Sequence, residues 1–236
     1  MGQKYTSQIF ILIALTIFFV CCHKEEGPPD PVTDFEGNSY KTVKIGTQIW
    51  MAENLKATLF NDGTEIPLVS EASAWSKLIT PGYCWYENNE PEHKDTYGAL
   101  YNGYTVSTGD LCPAGWHVPE KEEWQEMIEF LTDSITGGGK LKEAGTTHWQ
   151  SPNKGADNST GFTAFGSGIR YFEGSFRSIL SFTSFWAATE TGSNNEWYLS
   201  LFYADATATM DHRSKKHGFS VRCIKDSQNQ EYPDDK

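Results

Sequence analysis

The chain has 236 residues, carries 31 Asp and Glu against 19 Lys and Arg for a formal net charge of −12, and is 14% aromatic. An acidic surface of that kind excludes nucleic acid as a partner, because phosphates demand a basic face. It suits an extracytoplasmic body with one good-sized core or two small ones, and it is compatible with carbohydrate or calcium as ligand.

Residues 9–20, "IFILIALTIFFV", form an apolar run interrupted only by Thr16. A helix needs about 20 apolar residues to span a bilayer, so this run is too short to cross and has the length of a signal-peptide core. The "FFVCC" that closes it resembles a bacterial lipoprotein signal, with Phe19 where leucine is usual. The peptidase that processes such signals needs a small residue before the lipidated cysteine. Cys22 follows the small Cys21, whereas Cys21 follows the β-branched Val20. Lipidation is therefore expected at Cys22, with Cys21 as the alternative; several acyl chains hold a protein firmly where one does not.

The N-terminal part thus divides into a signal peptide, residues 1–21, and a lipidated spacer, residues 22–34, stiffened by Pro28, Pro29 and Pro31. Lys24, Glu25 and Glu26 resemble the export tag of surface lipoproteins in Bacteroidetes-type bacteria; the plainer reading is a solvated linker. The expected location is the outer membrane, exposed at the cell surface and held there by the lipid.

The body begins with a hairpin over residues 39–55, with Tyr40, Val43 and Ile45 going out, a Gly46–Thr47 turn, and Ile49 and Met51 returning. Ser70 is expected to cap a short helix with Ala72, Trp75 and Ile79 on one face. Residues 87–96 read as a polar loop between aromatic segments. Pro119 suits the first turn of a helix whose stripe is Trp124, Met127, Ile128 and Leu131. That helix ends before "TGGGK", which reads as a flexible exit. The remainder reads as strands with Gly, Asn and Ser turns, and residues 227–236 as a disordered tail. Residues 35–226 make one domain.

The usual chemical motifs are missing. "GGGK" lacks the Ser or Thr and the first glycine of a phosphate loop, "GSG" is no nucleophile elbow, and the six histidines show no paired metal spacing. His117, beside Trp116, reads as a structural histidine at a helix start. Cys112 has no CxxC partner, so zinc and redox roles are not indicated. A disulfide to Cys223 is expected instead, because the final strand, with Phe219 and Val221 inward, must dock. Closing about 110 residues would contribute roughly 4–5 kcal/mol. Cys84, between Tyr83 and Trp85, reads as a buried thiol.

Two oxygen-rich loops remain as ligand or calcium candidates. One offers Glu87, Asn88 and Asp95; the other offers Glu190, Asn194, Asn195 and Glu196 beside Trp197. Neither has EF-hand spacing, and the plain alternative for each is a solvated loop.

In order along the chain stand "TVKIGTQIWMAENL", "YCWYENN", "YGALYN", "LCPAGWHVPEKEEW", "GKLKEAGTTHW", "GFTAFGSGIR", "FWAATE" and "GFSVRCIKD". Together they resemble the Fibrobacter succinogenes major paralogous domain, over about residues 35–226. That family is found largely in surface or secreted proteins of Bacteroidetes and Fibrobacteres, often as lipoproteins. "GWHVPEKEEW" also resembles a helix start in formylglycine-generating enzymes, which have a C-type-lectin-like fold. The resemblance implies an α+β fold: a single C-type-lectin-like domain of short twisted antiparallel strands, about two helices and long loops. The enzymes' activity is not implied, since only Cys223 stands where they have a cysteine pair. The lectins' Glu-Pro-Asn and Trp-Asn-Asp calcium motifs are absent as well.

The first expectation is a non-enzymatic surface lipoprotein that binds a glycan, polymer or protein through the loops at 86–95 and 188–197. The others are a structural subunit of a surface appendage or envelope complex, marked by an exposed strand edge, and a glycan-processing enzyme using Glu87 and Glu190 across a cleft. No cofactor is expected, with calcium left open, and the oligomeric state is not indicated.

Overall fold

The computed structural model describes residues 1–2 and 27–227, so Cys21, Cys22, Lys24 to Glu26 and most of the polar tail lie outside the described residues. The body starts with the expected hairpin. Thr42–Ile45 and Gln48–Met51 pair antiparallel around Gly46 (φ 62°) and Thr47. Successive strand residues point to opposite faces, and here both faces are covered. Trp50 enters one core cluster, its ring centroid 4.5 Å from that of Trp124, while Met51 enters a second cluster with Trp186 and Phe219.

The hairpin is completed by the far end of the chain. Ile224–Lys225 pairs with it at Trp50 and with Trp116–His117 on its other side, forming a four-stranded antiparallel sheet. Cys112 and Cys223 form the expected disulfide, with Cα atoms 6.0 Å apart across a separation of 111 residues. Phe219 and Val221 are buried, and so is Arg222 between them and the cystine. Its Nε donates to Asn54 Oδ1 at 2.8 Å, its other nitrogens donate to the carbonyls of Phe162 and Thr163, and it stacks 4.2 Å from the Phe162 ring. Burial lowers the Arg222 pKa to about 9, and carbonyls alone satisfy much of the desolvated cation.

The larger sheet has eight strands. Ala208–Ser214, Asn195–Phe202 and Phe182–Glu190 form an antiparallel meander; Ser167–Arg170, Gly218–Phe219, Leu100–Asn102 and Tyr83–Cys84 continue it, and Phe176–Ile179 pairs with Ser167–Arg170. The architecture is α+β and mostly β. No helix among the described residues is long and apolar enough to cross a membrane.

The principal helix, Lys121–Phe130, buries Trp124, Met127, Ile128 and the following Leu131 as its 3.6-residue period requires. It begins later than Pro119: Glu120 is the N-cap, and Glu120 and Glu123 form a reciprocal capping box. Three sequence expectations fail. Ser70 does not cap the short helix Ala72–Lys77; Glu71 precedes it without a side-chain cap, and the Ser70 carbonyl accepts from Arg170 instead. Ile79 lies beyond that helix, exposed, while Trp75 alone is buried. "TGGGK" is no flexible exit but part of a helix, Ser134–Leu141, capped by Asp133, whose Oδ1 accepts from Thr136 N at 2.7 Å. Its glycines admit neighbouring backbone: a Cβ on Gly138 would strike the Thr207 carbonyl, and one on Gly139 the Gly155 carbonyl.

Candidate functional site

A fourth failed expectation shapes the site. The segment read as a polar loop folds into a turn, Tyr86–Asn88, followed by a helix, Glu90–Tyr97, with Pro91 and two acids in its first turn. Glu87 (φ 51°) and Asn88 (φ 56°) are both left-handed, a conformation that costs on the order of 1 kcal/mol for a non-glycine residue. Beneath them Tyr86 presses on Gly168, where a Cβ would come within 2.5 Å of its ring.

On the helix, Glu92, His93, Thr96 and Tyr97 share one face, whereas Asp95 is turned about 200° from His93 at 3.6 residues per turn. With Tyr86, Glu87, His148, Ile179 and Leu180, that face lines a cleft of about 420 Å³. His93 is 6% exposed, and its Nδ1 is buried with no hydrogen-bond partner. The rings of Tyr86 and Tyr97 stand 5.4 and 5.6 Å from its own. His148 meets Tyr97 edge-on at 5.9 Å, lies 4.1 Å from Phe165, and is held through Nδ1 by Glu143 at 2.9 Å. The cleft therefore offers aromatic walls and two carboxylates, one of which, Glu92, accepts from Asn89 Nδ2 at 2.7 Å.

The sequence-derived ligand set does not converge. Glu87 faces the cleft, but Asn88 donates to the Ser70 carbonyl at 3.1 Å and Asp95 pairs with Lys56 at 2.7 Å on the other side of the helix. There Asp95 lines a second cleft of about 400 Å³ with Lys41, Lys56, Thr163 and Arg222. Two of that cleft's charges neutralise each other and Arg222 is spent on protein acceptors, so the first cleft is the better binding candidate.

The second candidate loop is the end of a hairpin. Glu190 and Glu196 are directly opposed across the strands, and Asn195 pairs with Ser214. Lys215, nearly buried, donates to Glu190 Oε1 at 2.6 Å and holds that carboxyl below its ordinary range. The backbone N–H of Lys215 donates to the Asn194 carbonyl. Glu196 is fully buried; Ser107 Oγ donates to its Oε1 at 2.7 Å, while Oε2 has no partner. Burial raises this carboxyl to about 8, against the opposing pull of Ser107 and Lys215. Gly103 makes the room, since a Cβ there would lie 2.5 Å from Oε2. Trp197 is covered by Lys121, whose Nζ stands 4.2 Å over the ring. These groups brace the hairpin rather than face a ligand.

Nor do the two loops form one site. Leu180 lines the first cleft, and the strand Phe182–Glu190 that follows it spans about 26 Å at ~3.3 Å per residue. Glu87 and Glu190 stand at opposite ends of it, too far apart for the roughly 5–10 Å that a carboxylate pair needs across a glycosidic bond. Among the described residues no group of three or more His, Cys, Asp and Glu side chains is placed to hold a metal. His117 is structural as expected: its Nδ1 lies 2.6 Å from Asp226 and its Nε2 2.9 Å from Glu123. Cys84 is a buried thiol, pushed up to about 12 by desolvation.

Sequence reasoning missed His93, Tyr97 and His148. His148 had one local signal, its position beside the buried Trp149. The Fibrobacter succinogenes major domain matches residues 43–225, more than three quarters of the chain. No curated protein and no solved structure matches it.

Proposed function

The chain belongs to the Fibrobacter succinogenes major domain family, and on that premise we propose that it is a surface-anchored, non-enzymatic lipoprotein whose body binds an extracellular ligand, a glycan before a protein. The anchor is the lipid on Cys22, and the spacer lifts the body off an outer membrane. One observation carries the binding role: the cleft between Tyr86, Glu87, His93, Tyr97 and His148, which sets aromatic rings beside exposed carboxylates. Aromatic walls with a few convergent polar groups are what a small-ligand site requires. A C-type-lectin-like architecture is our finer reading of the fold. It is supported by the sheet that joins the first hairpin to the closing strand and by the disulfide that ties that strand to the start of the principal helix.

A glycan array probed with residues 23–236, with and without calcium, tests this. The expected result is a specific hit that survives a chelator, because the acidic side chains do not gather into a metal site. A hit abolished by chelation would overturn the site assignment, and a blank array would overturn the glycan reading.

A structural subunit is the second reading, and one feature favours it. Ala208–Ser214 ends the eight-stranded sheet, paired only with Asn195–Phe202 among the described residues. Asp211, His212 and Arg213 lie on that edge, and charged edges discourage strand addition. The cleft therefore takes precedence.

A further inference from the structure

We infer that the edge strand Ala208–Ser214 pairs antiparallel with the same strand of a second copy of this chain, in the register that sets Asp211 opposite Arg213. This goes beyond the binding role proposed above and does not rest on it. The Lys215 N–H donates to the Asn194 carbonyl. Counting back along the antiparallel register, the hydrogen-bonded pairs are Glu196–Arg213, Tyr198–Asp211 and Ser200–Thr209. The N–H and C=O groups of Ala208, Met210, His212 and Ser214 therefore turn to the outer edge, where no strand lies among the described residues. A groove of about 530 Å³ between Gln125, Glu129, Ala208 and Met210 leaves room there on the helix side.

Charge at an edge deters strand addition in general, yet here the charges complement one another. Like edges meet around a two-fold axis, as in any isologous dimer. With His212 of both copies on that axis, Asp211 of each lies opposite Arg213 of the other, and Met210 lies opposite Ser214. Centring the axis on Asp211 would set Asp211 against Asp211, and centring it on Arg213 would set Arg213 against Arg213. Like charges directly opposite destabilise a strand pair. Within one chain Asp211 and Arg213 stand 3.7 Å apart with side chains 43% and 56% exposed, a weak pairing that leaves both available. Asp211 Oδ1 accepts from the His212 N–H at 2.8 Å. In the pair, the His212 carbonyl of the second copy takes that N–H and Oδ1 turns to Arg213. The Ser214 carbonyl accepts from the His217 N–H and keeps a second lone pair for Met210.

The test is disulfide crosslinking of the purified full-length chain under mild oxidation. The unsubstituted chain is the blank, since Cys84 is buried and Cys112 and Cys223 are bonded to each other. In the proposed pair the two His212 Cα atoms are about 5.5 Å apart, a span that a disulfide accepts, so His212→Cys should give a covalent dimer. Thr209→Cys should not, because its two copies stand roughly 20 Å apart at ~3.3 Å per residue. Adding Asp211→Arg to His212→Cys sets like charges opposite and should cut the dimer about tenfold. Adding Arg213→Asp as well reverses both pairs and should restore it. No dimer from His212→Cys, or as much from Thr209→Cys, would overturn the pairing. A double charge reversal that fails to restore the dimer in a chain of unchanged melting temperature would overturn it too.

Discussion

His117 Nδ1 lies 2.6 Å from Asp226 Oδ1, joining the edge strand Trp116–His117 of the smaller sheet to the residue just beyond the closing strand. Its Nε2 meets Glu123 of the principal helix at 2.9 Å, so one imidazole links three segments. Both nitrogens face carboxylates, and the hydrogen bond to Glu123, aided by that to Asp226, raises the His117 pKa to about 9 from 6.5. The folded form binds this proton more tightly than the unfolded chain. The stabilisation is therefore fully present below about pH 6.5 and is lost as pH rises through about 9. With the side chain 36% exposed, solvent screening keeps the effect modest. Thermal unfolding from pH 6 to 10 should show wild type losing its advantage over His117→Gln across that window; a constant difference would contradict the linkage.

The cystine should matter more. Closing a loop of 111 residues contributes at most about 5 kcal/mol through the unfolded chain. Cys112→Ser with Cys223→Ser should lower the urea midpoint by a large fraction of the total stability. Cys84 should stay unreactive to a thiol reagent until the chain unfolds, because it is fully buried. Labelling at the rate of an exposed thiol would contradict that burial.

The glycine helix gives an internally controlled comparison. Gly138→Ala should destabilise by about 1–3 kcal/mol, since its methyl would strike the Thr207 carbonyl. Gly137→Ala has 3.5 Å to Leu131 and should be neutral or stabilising by about 0.5–1 kcal/mol. Denaturant melts of the two variants decide it, and equal effects would show that close backbone approach is not what those glycines serve.

That helix also marks where the sequence was readable and where it was not. Trp124, Met127, Ile128 and Leu131 announce their helix because one continuous stripe is buried. Ser134–Leu141 hides because glycine opposes helix formation, and the reason for its glycines lies at Thr207 and Gly155, outside any local window. Glu90–Tyr97 hides because His93 is its only buried residue, so no stripe exists. The site was legible to the same extent. Glu87 showed as an acid among aromatics, but the helix that turns His93 and Tyr97 towards it turns Asp95 away. His148 and Leu180 arrive from distant segments. Glu196 read as a ligand, although Gly103, Ser107 and Lys215 enclose it. The cysteine pair was legible because few cysteines left few choices.

The anchor is tested in cells. Cys22→Ala should move the protein from the membrane fraction to the soluble fraction, while Cys21→Ala should leave it membrane-bound. The reverse pattern would place the lipid on Cys21.

The most direct measurement is the affinity of the best array ligand for wild type, His93→Ala, Tyr97→Ala and, as a control, Lys56→Ala in the second cleft. The cleft at Glu87 and His93 predicts at least tenfold weaker binding, about 1.4 kcal/mol, for each of the first two variants, and unchanged binding for the third. Loss confined to Lys56→Ala, or full affinity in both cleft variants with the fold intact, would contradict it.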